Sequence, residues 1–142
     1  TGPVPGPDAP GAGPAAPPTL QSAVDRLLAA ERATFERVEP GDLPAEVAAG
    51  ALVVDLRPVD DRTADGELPG AIVVDRLVLE WRLDPTSPHR LAALQSPDQR
   101  VVLVCNEGYA SSLAAAALRR LGLRRATDLV GGFRGLRAHR SN

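Results

Sequence analysis

Short apolar runs alternate along this chain with polar or alanine-rich stretches. Three runs, Leu52-Val53-Val54-Asp55, Ala71-Ile72-Val73-Val74 and Val101-Val102-Leu103-Val104, are too short for helices and rich in β-branched residues. They read as buried strands, and Ala126-Thr127-Asp128-Leu129-Val130 reads as a last one. Phe35-Glu36-Arg37-Val38 alternates and predicts a further short strand. Helices are expected between them. Residues 43–49 are opened by Asp42 and Pro44 and closed by Gly50. Residues 77–83 end at Asp84-Pro85, and residues 88–94 place Leu91 and Leu94 inward. Residues 112–121 are built from alanine and leucine, the strongest helix formers. Residues 133–139 follow Gly131-Gly132. Residues 57–70 are polar and broken by proline and glycine, which predicts a long loop with at most one helical turn. Strands separated by helices describe an α/β domain, a small and mostly parallel sheet flanked by helices.

The N-terminal part has a different pattern. Residues 1–18 hold seven of the 14 prolines and have almost nothing to bury, so a disordered linker-like tail is expected. Residues 19–34 form a separate element, a helix over 20–31 capped by Thr19 or Ser22. Leu20, Val24, Leu27 and Leu28 share one face of it and cover one side of the domain. The domain itself is expected over residues 35–139.

Composition narrows the classes. A chain of 142 residues suits one domain with a real core. A formal charge of −2 gives no global pull toward nucleic acid or an anionic membrane. All 16 basic residues are arginine, to which no function is assigned. One cysteine excludes an internal disulfide and an all-cysteine metal site, and His89 and His139 form no ligand cluster. Neither a metal nor a cofactor is expected. No apolar run approaches the ~18 residues of a membrane span, and no signal-peptide pattern is visible. A soluble, cytoplasmic protein is the expectation.

The chemistry concentrates where the strand at 101–104 meets the alanine-rich helix. Between them lies Cys105-Asn106-Glu107-Gly108-Tyr109-Ala110-Ser111-Ser112, which opens with the only cysteine. A strand that delivers a residue to a helix N-terminus puts it among unpaired amides at the positive end of the dipole. Such amides hold an anion, which favours a nucleophilic thiol. A lone cysteine after a valine-rich strand is often only a small buried hydrophobe. Here polar residues follow at once, so the chain leaves the core at Cys105. In parallel sheets ligands sit beyond the C-terminal strand ends, where Asp55 and Cys105 both lie.

Four landmarks in order resemble the single-domain rhodaneses: Asp55-Leu56-Arg57, Pro69-Gly70-Ala71-Ile72, the Cys105–Ser111 loop, and Val130-Gly131-Gly132. The resemblance covers roughly residues 35–139. It implies a sulfurtransferase in which Cys105 takes a sulfane sulfur as a persulfide from a donor such as thiosulfate. A thiophilic acceptor, cyanide or another thiol, then removes it. The amides from Asn106 through Glu107, Gly108, Tyr109 and Ala110 to Ser111 would point at the sulfur, with Gly108 letting the backbone turn in. The hydroxyls of Ser111 and Ser112 would donate as well, or cap the helix. Arg62 is a substrate-facing candidate. Arg57 is expected to pair with a carboxylate, and Asp55 to anchor loops. Trp81 is expected in core or rim packing. Many family members carry an arginine near the end of the loop, where this chain has Ala110 and Ser111. Glu107 adds a carboxylate there, which disfavours a second anion. Both departures count against thiosulfate as the physiological donor and leave the persulfide route intact.

Two rivals remain. Cysteine phosphatases and arsenate reductases also use a thiolate in an amide cradle, but they place an arginine six residues after the cysteine, where this chain has Ser111. A rhodanese-like binding or regulatory module is the other, with a protein partner reached through the proline-rich tail. No nucleic-acid or membrane partner is expected.

Overall fold

The computed structural model describes residues 22–141. The expected tail over residues 1–18, the Thr19 cap and the first residues of the expected N-terminal helix lie outside the described residues.

Four parallel strands form one sheet in the order β2-β1-β3-β4. They are β1 (Leu52–Asp55), β2 (Ile72–Val73), β3 (Val101–Val104) and β4 (Ala126–Asp128). Because side chains alternate across a strand, β1 and β3 feed both faces of the sheet. Val54, Val101 and Leu103 point into one core with Leu79, Leu83, Ala114, Ala115 and Leu118. Val53, Val102 and Val104 point into the other with Leu43, Leu129, Phe133 and Leu136. The helices over the first face are α4 (Leu79–Arg82) and α5 (Ala110–Arg120), and those over the second are α2 (Leu43–Ala48) and α6 (Gly132–Arg140). This is the expected α/β architecture.

The N-terminal helix α1 (Ala23–Arg32) is capped by Ser22, whose Oγ accepts from the Asp25 amide at 3.1 Å. It packs on α5 and buries none of its own residues. An ion pair between Glu31 and Arg120 ties the two helices.

Several expectations need correction. The strand expected at 35–38 is reduced to one bridge between Val38 and Leu129, and the Glu36 carbonyl accepts from the Thr127 hydroxyl. The loop expected at 57–70 contains a helix, α3 (Val59–Asp65). It follows Pro58, places Asp60 and Asp61 in its first turn against the dipole, and buries no residue, so it has no apolar stripe to announce it. The helix expected at 88–94 is a series of turns. At its entry the Asp84 and Ser87 side chains accept from the Thr86 and His89 amides and compete with helical bonding, although Leu91 and Leu94 do face inward. The segment expected as a helix at 77–83 splits into a 3₁₀ turn (Arg76–Val78) and α4, and Trp81 is 58% exposed, outside the core.

Candidate active site

Cys105 directly follows β3 and is 8% exposed. The loop after it is shaped by what holds its carbonyls. The first amides of α6 donate to it, Phe133 N–H to the Cys105 carbonyl at 2.8 Å and Arg134 N–H to the Asn106 carbonyl at 3.0 Å. With those carbonyls drawn toward α6, amides further along turn to the sulfur. Gly108 N–H donates to Sγ at 3.1 Å and Ser111 N–H at 3.4 Å. Gly108 has φ 88°, and a Cβ there would stand 2.8 Å from the Gly131 nitrogen, so only glycine makes this turn.

α5 begins at Ala110, so Ser111 and Ser112 lie inside its first turn and neither is the N-cap. Their hydroxyls go to Asp128 at the end of β4, at 2.7 and 2.8 Å from its Oδ2. The Cys105 thiol in turn donates to Ser111 Oγ at 3.2 Å. Asp128 is fully buried and carries a fork from Arg37, with Nε to Oδ1 at 2.8 Å and Nη2 to Oδ2 at 3.0 Å. Because Arg37 and Ser112 also satisfy Asp128, Ser111 is free to turn its proton to the sulfur once the thiol proton leaves. The same hydroxyl therefore serves the neutral and the anionic sulfur.

Two further arginines frame the loop. Arg32, at the end of α1, donates to Ser112 Oγ at 2.9 Å and to the Gly108 carbonyl at 2.6 Å, and lies over the Tyr109 ring. Arg37 donates to the same carbonyl at 3.0 Å. Burial, and next the neighbouring Arg37, pull the Arg32 guanidinium below its ordinary value, against the opposing pull of Asp128 and Cys105.

A cavity of about 370 Å³ opens beside the sulfur. Leu56, Pro58, Tyr109 and Ala110 line it with apolar surface, and Asp61, Arg76 and Glu107 bring charge to it. Glu107 pairs with Arg134 at 3.2 Å, which offsets its carboxylate. Arg134 also holds the Asp65 carboxyl below its ordinary value. Asp55 and Arg57 form a buried pair on the cavity's inner side, with Nη2 to Oδ2 at 2.9 Å. The Arg57 guanidinium also lies 3.9 Å from the centroid of Phe133.

The structure thus brings Cys105, Asn106, Glu107, Tyr109, Ala110 and Arg57 to one cavity. Arg62 does not join them, since it turns to Glu67 at 3.1 Å and to the Arg57 carbonyl. Four residues escaped the sequence reading: Arg32, Arg37, Arg76 and Asp128. A carboxylate near the end of the last strand, in the same place as Asp55 on β1, was the available signal for Asp128. Nothing in the sequence singles out the three arginines from the other thirteen. Among the described residues no group of histidine, cysteine and carboxylate side chains has the makings of a metal site, and no helix is long and apolar enough to cross a membrane.

The family model for the rhodanese-like domain matches residues 39–139. Among solved structures, a rhodanese homologue from Thermus thermophilus is 33% identical, with 70% of this chain and 99% of that one covered and a TM-score of 0.52. A Rhodopseudomonas palustris protein of unknown function, described as a possible tyrosine phosphatase, is 28% identical over 88% of this chain and 96% of its own, with a TM-score of 0.73. A human single-domain sulfurtransferase is 24% identical over 73% of this chain and 96% of its own, with a TM-score of 0.60, and shares the fold. No curated protein matches.

Proposed function

Because this chain belongs to the rhodanese-like domain family, we propose that it is a sulfurtransferase that carries a sulfane sulfur as a persulfide on Cys105. The observation that supports this most is the cradle around Sγ, in which the Gly108 and Ser111 amides donate to the sulfur at 3.1 and 3.4 Å. These donors suit a sulfur anion, as amide nests suit other anions. In the first half-reaction the Cys105 thiolate attacks the outer sulfur of a donor such as thiosulfate. The new Sγ–S bond forms, the donor's S–S bond breaks, and sulfite leaves with the electron pair. In the second, cyanide or a thiolate attacks the outer sulfur and the Sγ–S pair returns to Cys105. The cavity beside the sulfur gives both partners a route in. The pairing of Glu107 with Arg134 weakens the objection that its carboxylate raises to an anionic donor. The test is thiocyanate formation from thiosulfate and cyanide, with Cys105→Ser as the control. Turnover by the wild type that vanishes in the variant supports the reading, and equal turnover in both overturns it.

One observation favours a second reading. The relative covering the largest share of this chain among those named is described as a possible tyrosine phosphatase. Against it, Ser111 stands where a phosphate-clamping arginine would be needed, and its hydroxyl is engaged with Asp128. Cys105-dependent hydrolysis of an aryl phosphate, without sulfur transfer, would turn the assignment to that reading.

A further inference from the structure

The loop that cradles the sulfur, Asn106 to Ala110, contains no cationic residue of its own. Apart from Arg134, which pairs with Glu107, the cations that bond to the loop come from upstream. Arg32 on α1 and Arg37 before the Val38 bridge both lie outside the family match at residues 39–139. Both donate to one atom, the Gly108 carbonyl oxygen. Gly108 is also the residue whose amide meets Sγ, so its two polar groups are tied at once, one to the sulfur and one to the arginine pair.

The charges around this point do not cancel. Arg37 is matched by Asp128 through a two-bond fork. Arg32 makes no ion pair with a carboxylate among the described residues, and its partners, Ser112 Oγ and the Gly108 carbonyl, are neutral. Placing a second guanidinium beside the first in a half-buried position is unfavourable, which agrees with the lowering of Arg32 by burial and by Arg37. One more negative charge would complete the cluster, and the Cys105 sulfur, held by the amide of the same Gly108 whose carbonyl Arg32 binds, is a group able to bear one.

We propose that Arg32 is a positioning residue of the sulfur site, acting through Gly108 and Ser112 to hold the loop and supplying the positive charge that matches a sulfur anion on Cys105. The working unit is therefore larger than the family domain and includes α1. The inference rests on the proposed function only for the identity of that anion, the thiolate and then the persulfide.

The experiment uses the full chain with Arg32→Gln and Arg32→Lys, and reads alkylation of Cys105 by iodoacetamide. Rates are measured at neutral pH and again above the range in which free thiols titrate, with thermal unfolding alongside. Tyr109, Arg37, Asp128, Asp61, Arg76, Glu107 and the Asp55–Arg57 pair face the site and are unchanged in all three proteins. Arg32→Gln should slow alkylation at neutral pH by about ten-fold. The difference should close at high pH, where the thiol is ionised in every variant. Arg32→Lys keeps the charge and should stay within about three-fold of wild type, and it carries the test if the glutamine variant does not fold. An unchanged neutral-pH rate in Arg32→Gln overturns the inference. So does an equal slowing at both pH values that lysine fails to rescue, since that is the mark of a tether alone. Sulfur transfer plays no part in this readout. A wild type that takes up no sulfur would end the proposed function and leave this inference standing.

Discussion

A Cβ on Gly132 would stand 2.5 Å from the Cys105 carbonyl oxygen and 2.7 Å from both the Asn106 carbonyl carbon and the Glu107 nitrogen, and its φ of 63° is one that L side chains rarely adopt. These neighbours are backbone atoms, so they cannot swing aside. Gly132→Ala should therefore lower stability by about 2 kcal/mol or more, read by urea unfolding, and should weaken sulfur uptake through displacement of the loop. Cys105→Ser is the opposite kind of change. It removes the nucleophile and nearly preserves volume, so we expect no sulfur transfer and a stability within about 1 kcal/mol of wild type, checked by the same unfolding curve. At this scale the sequence was readable where a residue type has one chemical use. The lone cysteine and the glycines around it announce themselves. Asp128 could be read only by analogy with Asp55, and Arg32 and Arg37 act through contacts that span 71 to 91 positions, which no local pattern encodes.

Among the elements, those with an apolar stripe were legible and those without one were not. β1 and β3 fall where the β-branched runs place them, and α5 starts two residues earlier than its alanine run suggests because Ala110 and Ser111 extend it. α3 was hidden because it buries nothing, and the turns at 88–94 looked helical because two inward leucines imitate helical spacing. The same contrast predicts mutational cost. Leu118, fully buried on α5 against the sheet, should cost about 3 kcal/mol on replacement by alanine. Val59→Ala, on the exposed surface of α3, should change stability by less than about 0.5 kcal/mol. Chemical denaturation of the two variants checks both.

For the whole molecule, ion pairs join elements distant in sequence. Arg100, just before β3, forks onto Glu46 of α2 at 2.9 and 3.1 Å and holds its carboxyl below the usual range. A carboxyl lowered by folding stabilises the protein fully above its unfolded value, and that contribution is lost as the pH falls through the lowered one. Glu46→Gln should therefore destabilise at neutral pH by less than about 1 kcal/mol, since the pair is partly exposed, and the gap to wild type should shrink in acid. Thermal midpoints of both proteins across that pH range provide the check. The central claim of the proposed function is that Cys105, placed at the end of β3, carries sulfur. The most direct test is the intact mass of the protein before and after thiosulfate, and again after cyanide. A gain of one sulfur atom that maps to Cys105 and disappears with cyanide is the predicted result. An unchanged mass, with Cys105 still open to alkylation, would contradict transfer from thiosulfate and send the search to other sulfur donors. An unchanged mass with every sulfane donor tried would contradict the sulfurtransferase reading itself.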